Sequence, residues 1–313
     1  MKSPYLLLSL APFFWSCNWI IGRALHQDVP PMGMTFFRWL IAVLILAPFA
    51  IGPLRRDWPV VRANWRVMLM LGAVGVGMHN ALAYLGLNFT TATNGVILNS
   101  CIPVMIILMS RLVFRERLRR LQLAGVVVSS LGVLAILSRG SLETLAALRL
   151  NLGDLFVMLS VAMWSLYTIL LRHRPAGLHT LSFLFSIAIV GNLCMLPFWI
   201  GEMLLGYRIA WNAQTVSAIF AVALFSSVLA YIFWNRGVEA VGAQVAGLFV
   251  HLMPVFGVML AWIFLDERLH PYHVAGIALI LIGIVLTTRP AAPGSAPGAL
   301  PPIGQALARR PRK

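Results

Sequence analysis

The side chains able to do chemistry in this sequence lie inside long apolar runs. A charged group at the centre of a bilayer costs from about 2.5 to more than 10 kcal/mol, so polar residues there face a partner or a wet cavity. Gln244, Gly247, His251 and Pro254 are spaced by three and four residues and share one helical face. Thr93, Val96, Ser100 and Pro103 form a matching stripe, with Asn99 beside it. Such faces offer hydrogen bonds to a small polar molecule, and His79 and His251 could add a proton site near neutral pH. The alternative for each histidine is a neutral imidazole that ties two helices together. Pro103 and Pro254 either act as hinges that free a carbonyl beside a pathway or merely kink their helices. Arg38 can clamp a carboxylate through paired N–H donors, or carry its charge outward along its stem to the interface. Trp15, Asn18 and Trp19 share a face, as do Trp164 and Tyr167, and aromatic walls suit an amphipathic small molecule. The expected substrate-binding set is Trp15, Asn18, Trp19, Arg38, His79, Asn99, Ser100, Trp164, Tyr167, Gln244 and His251. Tyr231 and Trp234 are read instead as interfacial belt residues.

Other chemistries find little support. Glu116 and Glu267 sit beside arginines at helix ends and read as capping and turn residues, while Asp154 opens a helix as a charge on its dipole. No acidic residue is left at mid-depth, which argues against carboxylate-based proton antiport and favours facilitated export or histidine coupling. His-Glu-x-x-His and Gly-x-Ser-x-Gly are absent, and no acid is placed to orient a histidine, so the chain is not expected to be an enzyme. No third ligand joins the two histidines, and Cys17, Cys101 and Cys194 lack metal-ligand spacing. Neither a metal nor another cofactor is expected.

These residues must be positioned by helices in a membrane. The 313-residue chain is 60% hydrophobic and 11% charged, with a mean hydropathy of +0.88, outside the usual range of soluble domains. A spanning helix needs roughly 17 to 25 apolar residues. Ten charge-poor runs qualify, at 5–25, 35–52, 67–87, 93–114, 121–137, 153–171, 181–201, 215–233, 243–265 and 273–287. The first begins like a signal peptide but has no convincing cleavage site, so it is read as a retained helix. The net charge of +15 comes from arginine clusters at span ends rather than from an amphipathic face, so a nucleic-acid partner is not expected. Residues 290–313, rich in Pro, Ala and Gly, form a basic tail expected to be disordered.

The two halves repeat. An offset of 151 pairs Gly86 with Gly237, Pro103 with Pro254, Glu116-Arg117-Leu118 with Glu267-Arg268-Leu269, Gly125 with Gly276 and Gly132 with Gly283. Nearer the start of each half the offset is 149, pairing Trp15 and Ser16 with Trp164 and Ser165. Residues 1–138 and 152–289 are thus the two repeats and 139–151 a linker. With five helices in each, the second enters the membrane from the opposite side. The charges agree: the loop holding Arg111, Arg115, Arg117, Arg119 and Arg120 is basic, whereas its counterpart holds Asp266, Glu267, His270 and His273 with Arg268 alone. The positive-inside rule then places both termini in the cytoplasm. Inverted halves can exchange roles around a midplane site, which is the basis of secondary transport.

From about Trp15 to Thr288 the chain resembles the drug/metabolite transporter superfamily, and within it the EamA-type permeases. The resemblance rests on "FWSCNWIIGRA", "PPMGMTFFRW", "ALAYLGLNFTTATNGVILNSCIPVMIILMSRLVFRERL" and "AVGAQVAGLFVHLMPVFGVMLAWIFLDERL". It implies an all-α integral membrane protein of ten helices in two inverted five-helix repeats, a central cavity, and export of amino acids or other small metabolites across the inner membrane. The expected partners are a small-molecule substrate and membrane lipid, with the protein a monomer or homodimer. Drug efflux by the same fold is the alternative, weakened by the missing acidic anchor for cations; an intramembrane enzyme is the remote one.

Overall fold

The computed structural model describes residues 3–25, 27–90, 92–116, 119–141, 143, 151–264 and 269–288. Glu267, most of the linker and the tail lie outside the described residues, as does the Trp19 side chain. No strand occurs among the described residues, and ten helices are long and apolar enough to cross a membrane. Each coincides with one expected run. In order they are α1 Pro4–Ala24, α2 Pro31–Ala63, α3 Trp65–Phe89, α4 in two pieces Ala92–Asn99 and Ile102–Phe114, and α5 Arg120–Leu137. Then follow α6 Leu152–His173, α7 Thr180–Leu204, α8 Ala213–Val241, α9 in pieces Ala243–Leu248, Phe249–His251 and Leu252–Phe264, and α10 Pro271–Thr288. Helices are the solution lipid imposes on a single segment, because each satisfies its own backbone donors and acceptors. Large apolar side chains such as Leu44, Phe49, Leu112, Leu193, Phe198 and Val285 stand exposed on the outside.

Sequence reasoning ended the second span near residue 52, but α2 runs 33 residues, through Pro48, Pro53 and Pro59. Each proline removes one backbone bond, and the turns between them keep theirs, so the helix continues into the basic segment around Arg55 and Arg62. Its first turn is held from outside: Glu202 of α7 accepts from the amides of Met32 and Gly33 at 3.1 and 2.8 Å. Asp154 fills the role expected of it, forming a reciprocal cap with Asn151 and accepting from the Thr90 hydroxyl at the end of α3.

Packing follows the repeat. A Cβ on Gly86 of α3 would lie 2.7 Å from the Val157 side chain of α6, and one on Gly237 of α8 would lie 2.4 Å from Leu8 of α1. Gly237 is Gly86 plus 151, and Val157 is Leu8 plus 149, so one contact is the other transposed. Irregular backbone is transposed as well. π-Helical turns interrupt α3 at Gly72–Met78 and α8 at Val222–Leu229, and α4 and α9 break just before Pro103 and Pro254. Both prolines therefore stand in the first turn of a new helical segment, where a missing N–H costs no intrahelical bond.

A candidate substrate cavity

Between the halves lies a small cavity of about 50 Å³. Trp15 and Asn18 of α1, Arg38 of α2, His79, Asn80 and Tyr84 of α3, Asn99 of α4, Trp164 of α6, Tyr231 of α8 and Met253 of α9 line it. Its floor is an aromatic block. The Trp15 and Trp164 rings meet edge-on at 4.9 Å, and Trp164 also stands 4.8 Å from His79, 5.3 Å from Tyr167, 5.4 Å from Tyr231 and 5.5 Å from Trp234. Beyond the block, Tyr167 donates to Asn235 Oδ1 at 2.7 Å. A second hollow, of about 550 Å³, then opens toward the arginine-rich end of the bundle. There Glu116 joins Arg172 of α6 at 2.7 Å and Gln244 of α9 at 2.9 Å, while Arg174 pairs with Glu239 at 2.7 Å.

The opposite wall is built around Arg38, only 1% exposed. Its Nε donates to Ser227 Oγ at 2.9 Å, and its Nη1 to Asn80 Oδ1 at 3.1 Å and Tyr84 Oη at 2.7 Å. Tyr84 passes the chain on by donating to Asn18 Oδ1 at 2.8 Å. The π-turns supply acceptors that a regular helix would keep for itself. Gly75 O takes the Tyr231 hydroxyl at 2.7 Å, and Ser226 O, 151 residues later, takes Trp15 Nε1 at 3.2 Å. His79 is oriented by Ser160: its Nδ1 lies 3.0 Å from the Ser160 carbonyl, which can only accept, so that nitrogen carries the proton and Nε2 remains an acceptor.

The two tyrosine–asparagine bonds are transposed copies. Tyr84 plus 151 is Asn235, and Asn18 plus 149 is Tyr167, so the same pair of positions is bridged with donor and acceptor exchanged. One bridge lies on the Arg38 side of the aromatic block and the other on the side of the second hollow.

The EamA-like transporter family model matches residues 2–138 and 151–289. The chain belongs to the EamA-like transporter family. An uncharacterized transporter of Archaeoglobus fulgidus is 26% identical over 91% of this chain and 96% of its own length. YyaM, an uncharacterized transporter of Bacillus subtilis, is 27% identical over 72% of this chain and 73% of its own length. The protein PecM of Dickeya dadantii is 23% identical over 88% and 89% of the two chains. A protein solved by crystallography shares the fold with a TM-score of 0.73 at 18% identity, over 92% of this chain and 97% of its own. The protein is therefore a multi-pass membrane transporter with small-molecule cargo.

Within this EamA fold, Trp15, Asn18, Arg38, His79, Asn99 and Trp164 come together around the cavity. Four other expected residues stand elsewhere, and Trp19 lies outside the described side chains. Tyr167 is buried beneath the aromatic block. Gln244 is tied to Glu116 in the second hollow, because the break in α9 ends the face it was expected to share with His251. Glu116 itself bridges helices rather than stabilising its own turn. His251 is wholly buried, its Nδ1 2.8 Å from Ser129 Oγ and its Nε2 2.9 Å from the Ser100 carbonyl, so both ring nitrogens and Ser100 serve the α9–α5–α4 junction. Replacing His251 by leucine removes two buried hydrogen bonds, at about 0.5 to 1.5 kcal/mol each. The expected result is a lower melting temperature with substrate KM unchanged within about twofold.

Sequence reasoning missed Tyr84, Asn80 and Tyr231 as site residues. Tyr231 and Trp234 are no belt: they are 1% and 0% exposed, because α8 runs on to Val241 and their rings pack against Trp15 and Trp164. The repeat held the missing signal, since Tyr231 is Asn80 plus 151 and the two side chains meet at 3.2 Å.

Proposed function

We propose that this protein is an inner-membrane secondary transporter that exports small metabolites, amino acids or related zwitterions among them, by alternating access between two halves of opposite orientation. Both termini lie in the cytoplasm in this reading, which puts the arginine-rich end inside. The observation that carries it is the transposed pair of tyrosine–asparagine bridges on either side of the aromatic block. Two equivalent closures around one cavity are what exchange between inward-open and outward-open states requires. A second observation agrees. Thr168 Oγ1, Trp234 Nε1 and Asn235 Nδ2 are buried at the block with no partner among the described residues, an arrangement that is relieved when the layer opens to water.

Counterflow in proteoliposomes, with a panel of labelled amino acids, tests the reading. At least one is expected to be carried, and Asn18→Ala to lower its rate about tenfold or more with the melting temperature held. No uptake above empty liposomes for any member would count against amino acids. The bridges give a separate test: Tyr167→Phe is expected to favour the inward-open state and Tyr84→Phe the outward-open one, read as opposite changes in spin-label distances at the arginine-rich end. Equal changes in both variants would contradict the two-closure scheme.

A further inference from the structure

We infer that the cavity recognises an organic anion, a carboxylate on a planar apolar body, and that Arg38 is the residue that takes the anionic head. The inference rests on the transporter reading and narrows its substrate. A guanidinium this deeply buried calls for a negative partner. Arg38 has three neutral ones: the Ser227 and Tyr84 hydroxyl oxygens and the Asn80 amide oxygen. No described carboxylate reaches it, and the ion pairs among the described residues, Arg172–Glu116 and Arg174–Glu239, lie at the other end of the bundle. The fork has five N–H donors. Nε uses its one and Nη1 both of its own, so the two on Nη2 have no acceptor among the described residues, on a side chain that lines the cavity. Both free N–H groups sit on one nitrogen, so each can donate a separate charge-assisted bond to an anionic oxygen in the cavity.

The rest of the cavity fits the same ligand. Asn18 has its oxygen engaged by Tyr84, which leaves its NH₂ as the free end on the cavity wall. No described acid lines the space, so the ionic contact it offers is to the carboxylate end of its cargo. Trp15, Trp164 and Tyr231 supply flat apolar surface for a planar body. The charge belongs to one half alone. At the offset of 149 that pairs Pro48 with Pro197, Arg38 corresponds to Ile187, which is fully buried. A packing device shared by both repeats would be duplicated; this cation is not.

The test uses the full chain in nanodiscs of uncharged phosphatidylcholine. Calorimetric titration compares benzoate, phenylacetate and indole-3-acetate each with its own amide, together with phenethylamine, chloride and inorganic phosphate. At least one acid is expected to bind about tenfold or more tighter than its amide, with phenethylamine weaker than both. Arg38→Gln is expected to erase the acid's advantage and Arg38→Lys to restore part of it. If no acid out-binds its amide, the inference fails whatever happens to the variants, so a misfolded Arg38→Gln protein leaves the test intact. Chloride or phosphate displacing the acid at equal concentration would mean a bare anion site and would also overturn it. Repeating the titration with anionic phosphatidylglycerol added tells a lipid headgroup from a soluble cargo: loss of acid binding would overturn the substrate assignment. Acid binding without flux would contradict the transport reading and leave this one standing, while flux indifferent to charge would do the reverse.

Discussion

Replacing Trp164 by alanine is expected to lower saturable transport about a hundredfold or more, and Trp164→Phe to retain most of it. Trp164 is the centre of the aromatic block, 2% exposed and in contact with the rings of Trp15, His79, Tyr167, Tyr231 and Trp234. It is at once a cavity wall and the layer between the cavity and the second hollow. Truncation removes the surface that positions cargo and thins the layer between the two hollows at its centre. The change also costs about 3 to 5 kcal/mol of packing, so size-exclusion profiles and melting curves must accompany the rates. A folded alanine variant that transports at the normal rate would remove the block from the mechanism.

The second large effect is on folding. Gly132→Val and Gly276→Val are each expected to leave little folded protein, whereas Gly201→Val is expected to behave as the parent. Between lipid-embedded helices no hydrophobic force drives association, so close backbone contact through small residues takes its place. In α5 and α10 that contact is extreme. A Cβ on Gly132 would lie 2.6 Å from the Gly276 carbonyl oxygen and 2.9 Å from Ile280 N, and one on Gly276 would lie 2.7 Å from the Gly132 oxygen. Both neighbours are backbone and cannot step aside, so the helices must separate along their length. Gly201 in α7 has nothing within 4 Å of its would-be Cβ. Detergent-solubilised yield and melting temperature provide the readout, and a Gly132→Val protein as stable as the parent would refute the packing account.

These two residues also mark what the sequence made legible. The helices were legible because bilayer thickness acts on every span alike, and the repeat was legible because Pro, Gly and Glu-Arg-Leu recur at one spacing. Asn18 and Arg38 could be singled out because polar groups inside a span are costly unless used, and Trp15 and Trp164 because aromatic walls suit an amphipathic ligand. What stayed hidden depended on departures from helical period and on where a helix ends. Gln244 and His251 fall on one face only if α9 is a continuous helix, and it is not. Tyr231 and Trp234 look terminal when the span is ended at residue 233, but α8 continues to Val241. α2 outran its expected end because the spans were bounded by charge, and this helix continues through Arg55 and Arg56 to Ala63. Arg38 left two readings open, clamp or snorkel, and the absence of a described acidic partner is a fact of tertiary structure that spacing does not carry.

Side-selective labelling at Ala83, which lines the cavity, tests the central claim most directly. In a protein with Cys17, Cys101 and Cys194 replaced by serine, Ala83→Cys would be treated with a membrane-impermeant maleimide in right-side-out and in inside-out vesicles. Labelling is expected from both faces, slowed on each by transported substrate. Reaction from one face alone under every condition would contradict a cavity that opens to the two sides in turn.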